Sequence, residues 1–229
     1  MPDGEYFSVE GSTQEIRNVT ERLASQIRSA LVSDPYIPKM NFPRLRFLSM
    51  PGLGYIGADF RTVAKKIRPG GIRIYETKAN YGYGGKFWSS GKFDFFAFAP
   101  EITANVLNNM KTIVHETTHA VQEWKKWRES TLDHEVDAHF ATALYLVLKG
   151  RQEEVKHDTV MNYYIIGAEA YVKDPKSITS RWFRDLRSNM RNDVLSHYRF
   201  MNKKISPDFN EQEFDKDFQK KARPDGIFV

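Results

Sequence analysis

Residues 112–122 read TIVHETTHAVQ, and within them His115, Glu116 and His119 form the pattern H-E-x-x-H. Around it Val106, Leu107, Met110, Ile113, Val114, Val121 and Trp124 recur at helical intervals, which predicts one helix from about Thr103 to Trp124. On a helix, residues four apart lie one turn above each other, so His115 and His119 can aim imidazole nitrogens at a single cation. Glu116 is rotated by about 100° from His115 and stands beside that cation, where a carboxylate can take a proton from bound water. Zinc lowers the pKa of such a water toward about 7. The bland alternative is a histidine pair satisfied within a core.

Two ligands do not complete a hydrolytic zinc site, which usually takes three from the protein and leaves one position for water. The next candidates stand in TLDHEVDAHFATALYL, residues 131–146; four of the six histidines, His115, His119, His134 and His139, fall between positions 115 and 139. On a second helix, from about Leu132 to Lys149, the residues Glu135, His139, Thr142 and Leu146 make a narrow stripe. Leu132, Val136, Phe140, Ala143, Leu144 and Val147 form an apolar face alongside it. Packing of that face on the HETTH helix is the expectation, with a short connector from about Lys125 to Ser130.

HETTH followed by HEVDAHFATALYL resembles the gluzincin branch of the zincin metallopeptidases, in which a glutamate on a following helix completes the metal site. The resemblance covers about Lys111 to Leu148. It implies that His115 and His119 are metal ligands, Glu116 the catalytic base and Glu135 the third ligand, with Ala138 matching the small residue of an E-x-x-A pattern. His139 departs from the family, standing where an Asp or Asn orients a metal histidine. An imidazole there can accept that hydrogen bond, donate to a developing oxyanion, or compete with Glu135 for the metal. The metzincin continuation, with a glycine and a third histidine, does not follow the motif.

The resemblance further implies an α+β, zincin-like fold. A small, mostly antiparallel sheet precedes the active-site helix, and a helical C-terminal part follows. KFDFFAFAPE, just before that helix, is the candidate for the edge strand beside the cleft, where an extended peptide pairs, and a core role is the first expectation for most of its phenylalanines. One zinc ion per chain and a peptide or protein substrate complete the expectation. For an electrophile facing the tetrahedral intermediate the candidates are Tyr163, Tyr164, His157 and His139. Asp133, His134 and Asp137 suit capping or support of the ligands, and His197 suits a solvated helix face.

The rest of the chain shows no repeat and no low-complexity tract, so a single domain over 1–229 is expected: helix and sheet over 1–100, a helical part with the metal site over 101–200, and a polar tail over 201–229. An opening helix is predicted from about Thr13 to Leu31, on capping-box spacing of Ser12 with Glu15 and the recurrence of Ile16, Val19, Leu23, Ile27 and Leu31. RLRFLSM, GYIGADF, GIRIYETK and GKFDFFAFA then read as three or four short strands between Pro and Gly breaks. The glycine-rich, aromatic stretch from Tyr81 to Gly91 has no phosphate-loop spacing and reads as a hairpin or flap. Two later helices are predicted, over about Glu153–Val172 and Ile178–Met201.

A chain of 229 residues, 41% hydrophobic and 14% aromatic, can bury a sizeable core. No run approaches the roughly 18 apolar residues of a membrane span, and the N-terminal stretch lacks a secretory pattern. The expected location is therefore cytoplasmic, or exported without a classical signal. With no cysteine, any metal must be held by His, Asp or Glu. The net charge of +5, from 34 basic and 29 acidic residues, is interleaved and does not favour nucleic acid. Arg181, Arg184, Arg187 and Arg191 form a helical stripe that reads as a solvated face. The expected function is a zinc-dependent hydrolase, a peptidase first. The rival readings are a metal-stabilised protein-binding module without catalysis, and a toxin-like protease or amidase with one cellular target.

Overall fold

The structure is a computed structural model, and it describes residues 6–9, 12–18, 21–48, 53–68, 70–77, 85–89, 94–127, 131–155 and 157–201. In chain order these form β1 (Tyr6–Val9), β2 (Ser12–Asn18), α1 (Glu21–Ser33), β3 (Phe42–Pro43), β4 (Gly54–Tyr55), α2 (Gly57–Lys66), β5 (Arg73–Thr77), β6 (Gly85–Ser89) and β7 (Asp94–Phe98). Then come α3 (Pro100–Ala104), α4 (Met110–Trp124), α5 (Thr131–Lys149), α6 (Thr159–Lys173) and α7 (Ser180–Met201). The architecture is α+β. The described residues fall into two compact units, one up to Pro38 and from Gly57 to Lys126, the other from Lys39 to Ile56 and from Trp127 onward.

In the first unit a five-stranded sheet has the order β1-β2-β5-β7-β6. Only β5 and β7 run parallel, with Arg73 opposite Phe95; the other three pairings are antiparallel. β7 is internal to the sheet, and Phe95, Phe96, Ala97 and Phe98 are all buried, as a strand covered on both faces requires. KFDFFAFAPE is therefore not the edge strand; β6 is, and it pairs with β7 in the register Phe87 opposite Phe96. The helices α1, α2, α3 and α4 complete this unit, with Ile27, Leu31, Phe60, Val63, Ile113, Val114 and Val121 buried.

Several local expectations give way to tertiary pairing. The helix expected from about Thr13 begins at Glu21, because residues 12–18 instead join β1 on one side and β5 on the other. Two ladders outweigh the helical spacing of Ile16 and Val19, which are themselves β-branched residue types that suit a strand equally well. The helix expected over 103–124 is broken into α3 and α4. Asn105 accepts the Asn108 N–H at 3.2 Å, and Asn109 donates to the Glu101 and Asn105 carbonyls at 3.0 and 2.9 Å. Asparagine side chains compete with helical hydrogen bonds in this way, and Leu107, expected on the apolar face, is exposed. RLRFLSM forms a 3-10 turn over Leu45–Phe47, and GYIGADF divides between β4 and α2.

The second unit is organised by α5, which runs as predicted and stops at Gly150 with φ +70°. Its apolar face, expected to pack on the HETTH helix, is covered within its own unit by α6 and α7. Phe140, for example, meets Phe42, Tyr171 and Trp182 edge-on. The helix expected from Glu153 becomes a 3-10 turn at Gln152–Val155 followed by α6, which is capped by the Asp158 carboxylate accepting the Met161 N–H at 3.0 Å. Two carboxylates of α5 bind distant parts of the unit. Asp133 accepts from Arg46 Nη1 at 2.7 Å and Arg187 Nε at 2.6 Å, and Asp137 accepts from the Leu45 N–H at 3.1 Å and the Tyr55 hydroxyl at 2.8 Å. Arg187 is thus taken out of the solvated arginine stripe, while Arg181 and Arg184 remain exposed.

The polar tail from residue 202, the side chains of Arg191 and His197, most of the glycine-rich stretch and the middle of the α4–α5 connector lie outside the described residues. Among the described residues no helix is long and apolar enough to cross a membrane.

Candidate metal centre

The chemistry-bearing residues sit on two helices, one in each unit. In α4 the HETTH turn lies mid-helix. Thr117 and Thr118 are fully buried, and each hydroxyl donates to the carbonyl four residues back, to Ile113 at 2.6 Å and Val114 at 2.9 Å. Those bonds satisfy the hydroxyls within the helix itself. His115 and His119 are half-buried on the neighbouring face, with ring centroids 4.9 Å apart and ring planes inclined by 78°. Their Nε2 atoms are 3.3 Å apart.

That separation tests the fit to a metal. Two nitrogens bound at about 2.0–2.1 Å to one tetrahedral zinc ion lie about 3.3–3.4 Å from each other. The α4 pair has this spacing without any rearrangement of the backbone. On its other nitrogen, His119 Nδ1 is 2.8 Å from Gln122 Oε1, and Gln122 is itself buried. An amide oxygen can only accept, so Nδ1 carries the proton and the His119 Nε2 lone pair points toward His115.

Glu116 is rotated away from this face and is 6% exposed. Its Oε2 accepts the backbone N–H of Phe87 on β6 at 2.7 Å. Alternate residues of an antiparallel edge strand direct their N–H away from the sheet, and Phe87 is one of them. The close approach depends on Gly85: a Cβ there would lie 2.7 Å from the Phe98 ring and 3.2 Å from Glu116 Cγ. The expected base is thereby anchored by one oxygen to the sheet edge.

On α5, Glu135 and His139 are both about one-quarter exposed, with Glu135 Oε2 3.9 Å from His139 Nε2. His139 is held on two sides, by Met161 Sδ at 3.1 Å from Nδ1 and by the buried Tyr164 ring, stacked at 5.4 Å. Further along the predicted stripe, Thr142 and Leu146 are buried, so only its first two members offer polar atoms to solvent. Ala138 is buried. Of the electrophile candidates, Tyr164 lies against His139, whereas Tyr163 and His157 are exposed.

Asp133 and Asp137, expected as caps or supports of the ligands, instead hold the second unit together through Arg46, Arg187, Leu45 and Tyr55. Burial pushes the Asp137 carboxyl up to about 7, against the two hydrogen bonds that favour its charged form. Gln122 and Gly85 were not among the predicted site residues. The three-residue spacing from His119 is a signal for Gln122, since it places both on one helix face. Gly85 has no such signal, because its role depends on the order of the strands.

No protein-family model, no curated protein and no solved structure matches the chain.

Proposed function

We propose that the chain is a zinc-dependent hydrolase that cleaves peptide bonds, a zincin-like metallopeptidase. His115 and His119 hold the metal, and Glu135 is the third protein ligand. The observation that carries the reading is the 3.3 Å separation of the two Nε2 atoms, which is the ligand spacing of one tetrahedral ion. Imidazole nitrogens with a carboxylate oxygen also form a donor set suited to zinc. The assignment of Glu135 rests on the E-x-x-A spacing after HETTH and on a carboxylate left partly open to solvent. His139, clamped by Met161 and Tyr164, then stands beside Glu135 as an orienting or oxyanion-facing group.

When bound, zinc supplies an acidified water and a Lewis acid for the scissile carbonyl. The chain's own contribution is proton transfer by Glu116. Its Oε2 is fixed by the Phe87 N–H, which leaves Oε1 to take the proton of the attacking water. The same oxygen returns that proton to the departing amine nitrogen as the C–N bond breaks. Burial of the carboxylate keeps its orientation fixed between the two transfers. A peptide or protein is the expected substrate.

The test is zinc titration of the purified chain together with hydrolysis of fluorescein-labelled casein. The wild type should bind about one zinc per chain under this single-site reading. Glu116→Gln should keep that zinc and lose about 100- to 10,000-fold in hydrolysis, the usual contribution of a positioned base. Failure to bind zinc would sink the metal reading. Full hydrolysis by the Gln variant would remove Glu116 from the mechanism.

A further inference from the structure

The buried amide of Gln122 has no place in the mechanism above, yet it meets one of the two metal histidines. Gln122 is 1% exposed, and its Oε1 lies 2.8 Å from His119 Nδ1. An amide is costly to remove from water unless it is hydrogen-bonded, so its burial on α4 points to a polar partner. A histidine that binds metal through Nε2 must carry its proton on Nδ1, and the group that accepts that proton fixes both tautomer and ring orientation. We infer that Gln122 is the positioning residue for His119: it holds the Nδ1–H tautomer and aims the Nε2 lone pair at the metal. This rests on the metal reading proposed above.

The geometry gives the inference a directional chain of hydrogen bonds. With Gln122 accepting from His119 Nδ1, His119 Nε2 is an acceptor, and the facing His115 Nε2, 3.3 Å away, is the donor in the metal-free protein. Metal binding then requires a change of tautomer only at His115, whose proton leaves Nε2 for solvent as Nδ1 takes one up, because His119 already presents a bare nitrogen. Loss of the Gln122 oxygen removes the acceptor that selects that direction at His119, and part of the population must then change tautomer before it can bind. A carboxylate at position 122 would accept the same proton and make the imidazole a more basic ligand.

The experiment compares the wild type with Gln122→Leu, Gln122→Glu and His119→Ala, by zinc titration against a chelator and by 15N NMR of the histidine rings in metal-free protein. Gln122→Leu should weaken zinc binding by about 10- to 100-fold, as loss of an outer-shell partner of a ligand does. It should also move the His119 proton off Nδ1 in part of the population. Gln122→Glu should restore both zinc affinity and the Nδ1–H signal, a rescue that a packing role for the side chain would not produce. His119→Ala should remove the dependence on residue 122. If Gln122→Leu binds zinc as tightly as the wild type, this inference is overturned while the metal reading stands. If the wild type binds no zinc, both fall. If Gln122→Leu unfolds, the Nδ1–H signal and zinc affinity of Gln122→Glu decide, and a loss of either overturns the inference.

Discussion

The two helices that carry the candidate residues hold their polar groups in opposite ways. In α4, apart from Glu116 with its partner Phe87 on β6, these partners are close in sequence: Thr117 and Thr118 donate four residues back, His119 meets Gln122 three residues on, and His115 faces His119 one turn away. In α5 the buried acids reach far along the chain, Asp133 to Arg46 and Arg187, Asp137 to Leu45 and Tyr55. A polar run satisfied locally can be spent on chemistry without endangering the fold. The two buried carboxylates of α5 bind remote segments and are structural, even though they flank Glu135 two residues away on either side.

The sharpest way to break this comparison is to exchange the roles it assigns within α5. Glu135→Ala should weaken zinc binding more than His139→Ala, for which an outer-shell loss of about 10- to 100-fold is expected. Zinc titration that returns the reverse order would make His139 the ligand and Glu135 its neighbour. Next in size, Asp133→Ala should cost about 2–3 kcal/mol in urea unfolding, since two guanidinium groups lose a charged acceptor; exposure of Arg46 limits the loss. Its zinc affinity should stay near that of the wild type, and a large drop would contradict a purely structural part for Asp133.

Gly85→Ala probes a distant support of α4, the hydrogen bond from β6 to Glu116. The added methyl meets the Phe98 ring and the stem of Glu116, so stability should fall by about 1–2 kcal/mol and casein hydrolysis should fall further than the loss of folded protein explains. Unchanged hydrolysis would separate Glu116 from its anchor on β6. The mildest test is pH. The Asp137 carboxyl is raised from 3.8 to about 7 in the folded chain, so its contribution to stability is fully present below about pH 4 and is lost as pH rises through about 7. In Asp137→Asn, where the Tyr55 hydroxyl can turn to accept from the amide, the urea midpoint of metal-free protein should lack that part of the decline. Identical pH profiles for the two proteins would count against the raised value.

How much could be read along the chain follows the same division. HETTH, the part of its helix from Met110 to Trp124 and the start and stop of α5 depend on residues within a few turns, and they stand where spacing places them. Residues 12–18 carry helical spacing and nonetheless form a strand, because two ladders formed with residues 6–9 and 75–77 outweigh a local preference. The break at Asn105–Asn109 was present in the sequence as three asparagines, and the run of apolar positions on either side concealed it.

By itself, the sequence determined the side-chain chemistry: two imidazoles one helical turn apart, a carboxylate beside them, no thiol to compete, and a second acid and histidine on a later helix. Only the tertiary structure decided that β6, and not β7, borders Glu116, that a glycine at position 85 lets it do so, and that Asp133 and Asp137 belong to the framework. The physical reason is range. Helical geometry repeats every 3.6 residues and is written into local spacing, whereas the order of strands and the partner of a buried carboxylate depend on which distant segments gain most by pairing.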